Sequence, residues 1–316
     1  GAERRVLDRR FGRDGVIGMC ISGLGPAIAV VFTNPMDTAK TRLQMQGELR
    51  KGKGDYAGLI DVLRKTYQTE GITGLQRGVK IGMVRDFSKC FFRIGLYDPL
   101  LFRLHPNLAS KPPIAKKITA GATSGLVSAL VCNPLDVLKT RVQASGGVSG
   151  SHYTYKAQAG ISVLRTIVSK EGIKGLWIGL TVNASRSVLF TSVVLPTNSQ
   201  LKESAEDMKI GGILRDVVCS VGASILGVCC INPLDVVRTR LYNQPVDSNG
   251  VGTLYKGPMD AFRSIAVNEG ILSFWKGVFA HYARAGPHTV LSLTFIGILQ
   301  RGIRQLRAWQ LGVDDI

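Results

Sequence analysis

The chain carries one short segment three times over. Asn34-Pro35-Met36-Asp37-Thr38-Ala39-Lys40 returns as Asn133-Pro134-Leu135-Asp136-Val137-Leu138-Lys139, and again as Asn232-Pro233-Leu234-Asp235-Val236-Val237-Arg238, with successive prolines 99 residues apart. A fixed period that spans a whole chain marks repetition of one supersecondary unit, and such units bury their apolar faces by packing on one another. A second landmark keeps the register: Glu70-Gly71-Ile72, Glu171-Gly172-Ile173 and Glu269-Gly270-Ile271 follow their prolines by 35, 37 and 36 residues. A lone Pro-x-Asp-x-x-Lys is common by chance; three in step with three Glu-Gly-Ile segments are not. A length of 316 residues would by itself suggest two domains. The repeat argues instead for one domain over 1–316, with repeats at about 14–106, 112–206 and 210–308.

Each copy closes an apolar run. Val16 to Asn34, Ile114 to Asn133 and Val217 to Asn232 are each about one membrane span long once their polar ends are allowed for. The chain is 45% hydrophobic and 20% charged, with a mean hydropathy of +0.14, as a polytopic membrane protein with wet surfaces would be. The segments after each Glu-Gly-Ile are less apolar and carry charges. Such helices suit the lining of an aqueous cavity, because ionisable groups within spans face water or one another. The net charge of +18 fits solubility or attraction to anionic lipid. Nucleic acid is a poor fit, since the basic residues are spread over all three repeats among apolar runs. There is no phosphate-binding loop, no recognisable catalytic carboxylate pair and no metal-ligand spacing, so neither an enzyme nor a resident cofactor is expected. Cys20, Cys90, Cys132, Cys219, Cys229 and Cys230 lie mostly in apolar runs and form no Cys-x-x-Cys; they read as small buried packing residues. Arg4, Arg5, Arg9, Arg10 and Arg13 precede the first run, but Glu3, Asp8 and Asp14 interrupt them, so no cleavable presequence is expected.

The patterning predicts six long helices and three short ones. The odd long helices cover Asp14–Gln44, Pro112–Gln143 and Ile210–Tyr242, and the even ones Gly74–Leu104, Leu176–Glu206 and Phe274–Leu306. Small residues in the odd helices (Ser22, Gly23 and Gly25; Gly121 and Gly125; Gly222, Ala223 and Ser224) allow close helix approach in a membrane, and their prolines should kink them. Short amphipathic helices are expected at Tyr56–Thr69, Tyr155–Lys170 and Tyr255–Asn268, preceded by loops rich in Gly, Ser, Lys and Asp at Gly47–Asp55, Ser145–Thr154 and Pro245–Thr253.

These segments resemble the mitochondrial carrier family, also called solute carrier family 25, over nearly all of the chain. Its signature, P-x-D/E-x-x-K/R-x-K/R, is completed here by Arg42, Arg141 and Arg240. Leu241-Tyr242-Asn243-Gln244-Pro245, Gly286-Pro287-His288-Thr289-Val290-Leu291-Ser292-Leu293 and Leu195-Pro196 with Lys202 look most like the oxaloacetate carrier branch. The resemblance implies an all-α membrane protein of the mitochondrial inner membrane. Six transmembrane helices would form three pseudo-threefold repeats around a central cavity, with three short surface helices on the matrix side. Such a protein works as a monomer by alternating access, needs no cofactor and binds cardiolipin.

An acid and a base three residues apart on a helix can both point at one axis. The resemblance pairs Asp37 with Lys139, Asp136 with Arg238 and Asp235 with Lys40 in a ring that closes a matrix gate; a static structural lock would use the same ring. Gln44 and Gln143 match the family's glutamine braces beneath it, and Tyr242 stands at the third position as an altered brace. The opposite, cytoplasmic gate is depleted. Tyr97-Asp98-Pro99-Leu100-Leu101 keeps the acid, Asn198-Ser199-Gln200-Leu201-Lys202 keeps the base, and Ile296-Gly297-Ile298-Leu299-Gln300 has neither. One bridge, Asp98 to Lys202, is implied, and a gate that opens easily.

Seven residues after Gly78, Gly179 and Gly277 stand Arg85, Arg186 and Arg284. Seven residues is nearly two turns, so the three guanidinium groups should share one depth. Guanidinium forks bind carboxylates bidentately and keep their charge. These positions match the family's substrate contact points. Lys89 and Arg93 continue the face of Arg85, either drawing anions inward or meeting lipid headgroups. In the family, a pair such as Arg186-Ser187 goes with keto acids and small carboxylates, whereas adenine-nucleotide carriers have Gly with an aliphatic residue. His288, one turn beyond Arg284, is a candidate for proton coupling or for helix packing. The expected substrate is a small anion such as oxaloacetate, malonate, another dicarboxylate or sulfate. The alternatives are an uncoupling-type proton and anion conductor inhibited by purine nucleotides, and a non-transporting membrane scaffold. Free N–H groups at helix N-termini bind phosphate. By resemblance, cardiolipin sites fall at Gly58 and Gly257, in Tyr56-Ala57-Gly58 and Tyr255-Lys256-Gly257, and at Gly78, Gly179 and Gly277, of which Trp275-Lys276-Gly277 is the fullest copy.

Overall fold

The structure, a computed structural model, describes residues 13–46, 48, 56–106, 113–145, 160–207, 213–244 and 252–310; at 13–15, 114, 160, 304 and 306–310 and in parts of 190–207 and 213–224 it describes the backbone alone. Among the described residues six long α-helices and three shorter ones follow one another in the expected order. They are α1 (Arg13–Met45), α2 (Leu59–Leu75), α3 (Val79–Leu104), α4 (Ile114–Ala144), α5 (Gly160–Glu171), α6 (Leu180–Asp207), α7 (Ile213–Asn243), α8 (Pro258–Glu269) and α9 (Val278–Gln310). At about 1.5 Å per residue, even the 26 residues of α3 outreach a hydrocarbon core of about 30 Å. By length and composition alone, α1 over Val16–Met45 and α4 over Ala115–Ala144 qualify as membrane spans.

The even helices start later than the patterning predicts, at 79, 180 and 278. Apolar periodicity runs on through Leu75, Leu176 and Phe274, but the backbone does not. Gly78, Gly179 and Gly277 adopt φ of 71, 66 and 76°, a region that costs a residue with a Cβ about 1–2 kcal/mol. Gly71, Gly172 and Gly270 repeat the device at φ 67, 72 and 84°. They end the short helices, and a 3₁₀ turn follows at Ile173–Trp177 and at Ile271–Trp275. In α2 the same break lies inside the helix, at Gly71. The peptide groups freed between each glycine pair are held by the asparagine before each repeated proline. Asn34 Nδ2 donates to the carbonyls of Leu75 and Arg77, Asn133 to those of Leu176 and Ile178, and Asn232 to those of Phe274 and Lys276. Thus the motif that opens each repeat also ties down its turn into the even helix.

The long helices stand in a ring, in which α1 meets α3, α3 meets α4, α4 meets α6, α6 meets α7, and α9 lies against both α7 and α1. Three apolar clusters fill the end that carries the short helices. Val236, Val237 and Leu241 of α7 pack with Tyr255, Ala261 and Ile265, and with Val182 from α6 of the preceding repeat. Leu138 and Val142 of α4 pack with Val163 and Ile167, and with Ile81 of α3. Ala39 and Leu43 of α1 pack with Tyr56 and Val62, and with Ala280 of α9. Every cluster therefore joins two repeats, and no repeat completes its core alone. On the outside of the ring, large apolar side chains face outward: Phe32 on α1, Leu126, Val127, Leu130 and Val131 on α4, and Ile225 and Leu226 on α7. Contiguous apolar exposure of this kind suits lipid. The cysteines divide differently from expectation: Cys132 is buried, Cys20, Cys90 and Cys229 are half-buried, Cys230 is exposed among these apolar neighbours, and the side chain of Cys219 lies outside the described residues.

The glycines that open the even helices differ in their neighbours. A Cβ on Gly179 would stand 2.9 Å from the Tyr242 ring, one on Gly78 would stand 3.5 Å from Val142, and one on Gly71 would meet nothing within 4 Å. Gly78→Ala should therefore cost about 1–2 kcal/mol from backbone strain, Gly71→Ala, at φ 67 and ψ −161°, about 1–3 kcal/mol, and Gly179→Ala distinctly more than Gly78→Ala. Thermal unfolding of the three purified variants in detergent checks this order. Equal losses would mean that the Tyr242 contact does not set the demand for glycine.

Candidate functional site

The three repeated acids and bases converge on the axis of the bundle, where Asp37, Asp136 and Asp235 are all buried. Two of the expected pairs form: Lys139 Nζ donates to Asp37 Oδ2 at 2.6 Å, and Lys40 Nζ to Asp235 Oδ2 at 2.7 Å. The third, Asp136 with Arg238, does not. Asp136 instead accepts from Arg85 Nε at 2.5 Å, Lys89 Nζ at 2.9 Å and Asn183 Nδ2 at 3.0 Å. Arg238 donates to Asn183 Oδ1 at 3.0 Å, lies over the Tyr242 ring, and stands 3.9 Å from Asp235 on its own helix. The cause is a local surplus of donors. Lys89 has as its sequence counterparts Phe190 and His288, so only Asp136 faces an added lysine. A buried carboxylate has about four acceptor positions, and those of Asp136 are filled before Arg238 reaches them. Lys89 thus points inward rather than to lipid, while Arg93 is exposed.

The arginine triad lands on the same acids in cyclic order. Arg85 pairs with Asp136 at 2.5 Å, Arg186 with Asp235 at 3.4 Å and Arg284 with Asp37 at 2.6 Å. Each arginine thus bridges from an even helix to the odd helix of the next repeat. Their side chains remain 12, 21 and 18% exposed, which makes them the accessible layer above a closed ring. Below this layer lies a polar cavity of about 50 Å³, lined by Asp37, Lys40, Gln44, Lys139, Gln143 and Arg238 among others. That volume holds a water or two and no solute.

The braces work across repeats rather than on the ion pairs. Gln143 Nε2 donates to Asn34 Oδ1 at 3.1 Å, and the Tyr242 hydroxyl to Asn133 Oδ1 at 2.7 Å. The third such link is unmade: Gln44 Nε2 and Asn232 Oδ1 are both buried without a partner, while Gln44 Oε1 accepts from Thr239 at 2.8 Å. One layer further out, the Glu of each Glu-Gly-Ile pairs with the last arginine of its signature: Arg42 with Glu70, Arg141 with Glu171, and Arg240 with Glu269.

Three residues at this level escaped the sequence reading. Counting four residues from each even-helix glycine, rather than seven, gives Gly82, Asn183 and His281. All three face the ring. A Cβ on Gly82 would stand 3.3 Å from Lys139 Nζ, Asn183 joins Asp136 to Arg238, and His281 Nδ1 lies 3.2 Å from Asp235 Oδ2. A fourth miss is Asp86, buried beside Arg85, from whose Nη1 it accepts at 2.5 Å. The signal was present, since an ionisable residue inside a span is a functional candidate by default. His288 lies against it, with Nε2 3.6 Å from Asp86 Oδ2 and Nδ1 3.2 Å from Thr33 Oγ1. The Ser187 hydroxyl donates to the Asn183 carbonyl at 3.1 Å. Asp98 is exposed on α3, and the side chain of Lys202 lies outside the described residues, as does its pairing with Asp98.

At the short helices, Gly58 and Gly257 are N-caps with extended backbone, and nothing lies within 4 Å of a Cβ on either. The N–H groups just before them, on Ala57 and Lys256, donate to Asp61 and Asp260 at 2.9 Å each. The hydrogen bonds from Lys65 and from Ala57 hold the Asp61 carboxyl below the usual carboxylate range.

A threefold bundle with lipid-type surfaces outside and a cluster of ion pairs on its axis is the build of a membrane transporter. The sequence profile described as "Mitochondrial carrier protein" matches residues 14–106, 110–209 and 211–306. The chain is 33% identical over 288 residues to "Mitochondrial substrate carrier family protein ucpB" of Dictyostelium discoideum, covering 90% of this chain and 95% of that protein. It is 34% identical over 292 residues to "Mitochondrial oxaloacetate transport protein" of Schizosaccharomyces pombe, covering 89% of each. It is 31% identical over 296 residues to "Mitochondrial uncoupling protein 1" of Arabidopsis thaliana, covering 91% of this chain and 93% of that protein. The chain belongs to the mitochondrial carrier family, whose members are multi-pass transporters of the mitochondrial inner membrane.

The rearranged ring is open to double-mutant cycles read by thermal unfolding. Asp37→Asn with Lys139→Gln, and Asp136→Asn with Arg85→Gln, should each show coupling of about 1 kcal/mol or more, whereas Asp136→Asn with Arg238→Gln should stay within about 0.5 kcal/mol. A coupling for Asp136 and Arg238 as large as that for Asp37 and Lys139 would restore the symmetric ring.

Proposed function

We propose that this carrier moves small dicarboxylates or related small anions, such as oxaloacetate, malonate or sulfate, by alternating access. The observation that carries the reading is the charge at the axis. Lys40, Lys89, Lys139, Arg85, Arg186, Arg238 and Arg284 face only four carboxylates, Asp37, Asp86, Asp136 and Asp235. Seven cations against four anions leave an excess of positive charge in a place from which water is largely removed. A small dianion would offset most of it. The partly exposed guanidinium groups of Arg85, Arg186 and Arg284 offer paired donors to such a ligand, with Lys89, Ser187 and His288 beside them. In this mechanism the anion competes with Asp37, Asp136 and Asp235 for the arginines. The ion pairs Lys139–Asp37 and Lys40–Asp235 then break when the matrix gate opens, with Arg238, Gln44 and Gln143 re-pairing around them. Asp98 and Lys202 would close the opposite side with a single bridge. The name of the Schizosaccharomyces pombe relative supports a dicarboxylate of the oxaloacetate kind.

The name of the Arabidopsis thaliana relative supports a second reading, an uncoupling-type conductor of protons and anions. Inhibition of a proton leak by purine nucleotides would favour that reading over the first. A scaffold without transport is the weakest of the three, because seven buried or half-buried cations crowded on one axis bring a scaffold no advantage and carry a desolvation cost.

Replacing Arg186 by Gln removes one fork from the site. Uptake of labelled malonate or oxaloacetate into loaded proteoliposomes should fall about tenfold or more, the worth of a charge-assisted pair, while Arg263→Gln, exposed on α8, should transport like the parent. Unchanged uptake in a folded Arg186 variant would make the triad structural.

Cardiolipin is the expected lipid partner of the monomer. Its phosphates would meet the helix N-termini at Gly58 and Gly257 and the turns at Gly78, Gly179 and Gly277. Cardiolipin added to delipidated protein should raise the Tm, and more than a neutral lipid does; an equal response to both would remove the specific sites.

A further inference from the structure

The mechanism above uses every buried carboxylate on the axis except one. Asp86 on α3 is 5% exposed. Its Oδ1 accepts from Arg85 Nη1 at 2.5 Å, but its Oδ2, also buried, has no hydrogen-bond partner. Two groups face that oxygen: Arg284 Nη2 at 3.9 Å, and His288 Nε2 at 3.6 Å. Buried acceptors are normally satisfied, so this one calls for an explanation.

The tautomer of His288 supplies it. Thr33 Oγ1 donates its only proton to the Ala29 carbonyl at 3.1 Å, an oxygen that can only accept. Toward His288 Nδ1, 3.2 Å away, the Thr33 hydroxyl must therefore accept, and the ring must carry its proton on Nδ1. A neutral His288 then presents the bare lone pair of Nε2 to the bare lone pair of Asp86 Oδ2. Two facing acceptors, the one on Asp86 buried and the one on a half-buried His288, repel until one proton lies between them. We propose that Asp86 and His288 together form a proton-binding site, and that one proton enters it when an anion binds the arginine triad.

The coupling follows from the neighbours. Cations surround the Asp86 carboxylate: Arg85 on its own helix, Lys139 from α4 and Arg284 from α9. The remaining titratable neighbours are Cys90 one turn along α3, and Asp37 of α1, which lies near His288. An anion that takes the forks of Arg85 and Arg284 strips Asp86 of its compensation and adds negative charge beside it. A proton released by buffer acid in the bulk solvent and reaching the site through the cavity then settles on Nε2, Nε2–H donates to Oδ2, Nδ1–H goes on donating to Thr33, and the open position is filled. The anion and its proton would travel together. Neither counterpart of His288 in the other repeats, Lys89 or Phe190, could do this, so the site is single.

This coupling rests on the anion reading, but the proton site itself does not. Malonate titrated calorimetrically into the purified carrier near pH 7, in two buffers of different ionisation enthalpy, should show uptake of about one proton per anion bound. His288→Asn and Asp86→Asn should each abolish that uptake, counted per anion bound so that weaker binding does not mimic the effect. Equal uptake in either folded variant would overturn the proposal. So would uptake lost only in His281→Asn, which would move the proton to Asp235. If malonate does not bind at all, the anion reading fails, and nitrogen NMR of the labelled histidines decides the site alone. The proton of the neutral His288 ring should be on Nδ1; a proton on Nε2 would sink the proposal.

Discussion

A carboxylate taken out of water must be surrounded by donors or give up its charge. Asp37, Asp136 and Asp235 meet that demand with two cations each, and the second cation gives the bundle its character. Lys139 and Arg284 serve Asp37, Lys40 and Arg186 serve Asp235, and Lys89 and Arg85 serve Asp136. In two of the three acids, one cation comes from the proposed gate and the other from the candidate anion site. The two functions are therefore linked through a shared acceptor. Whatever draws an arginine away leaves an aspartate leaning on its lysine alone, and removing one member of a buried ion pair costs about 3–5 kcal/mol. No longer-range path is needed to connect an occupied site to its gate.

Around this charged axis lies a shell of devices that repeat with less variation. The asparagine clamps, the two left-handed glycines and the glutamate-arginine pairs recur in every repeat. The inner ring does not repeat so closely. Lys89, Asp86, Asn183, His281 and His288 each occur once, and they break the threefold order where a small solute of lower symmetry would lie. A scaffold is served by three identical units. A site that must tell one anion from another is not.

The amino-acid sequence disclosed the architecture almost whole, because a repeat with two landmarks fixes both the elements and their register. Helix starts were misjudged at Gly78, Gly179 and Gly277, where apolar periodicity persists through a backbone break that only φ reveals. At the axis, symmetry was both guide and trap. It found Arg85, Arg186 and Arg284, since a feature present three times is easily counted. It also suggested a third gate pair, Asp136 with Arg238, that Lys89 displaces. Lys89 and His288, though without counterparts, were found by their place beside the triad; Asp86, Asn183 and His281 stayed hidden. Asp86 follows Arg85 directly, and neighbours in a helix sequence usually point to different faces, so nothing in the spacing joined it to His288 some 200 positions on.

One contact recurs at the matrix end. The Nε of Arg42 donates to the backbone carbonyl of Gln143, that of Arg141 to the carbonyl of Tyr242, and that of Arg240 to the carbonyl of Gln44. Each repeat so grips the next, and the third grips the first. A loop of three links has no loose end from which to unravel. If one link lengthens, the other two still hold the circumference, and the first is pulled back to its bonding distance. Such a closure resists small excursions and yields only when all three give way in one concerted movement, so the matrix mouth should behave as an iris with two stable settings rather than as three independent petals.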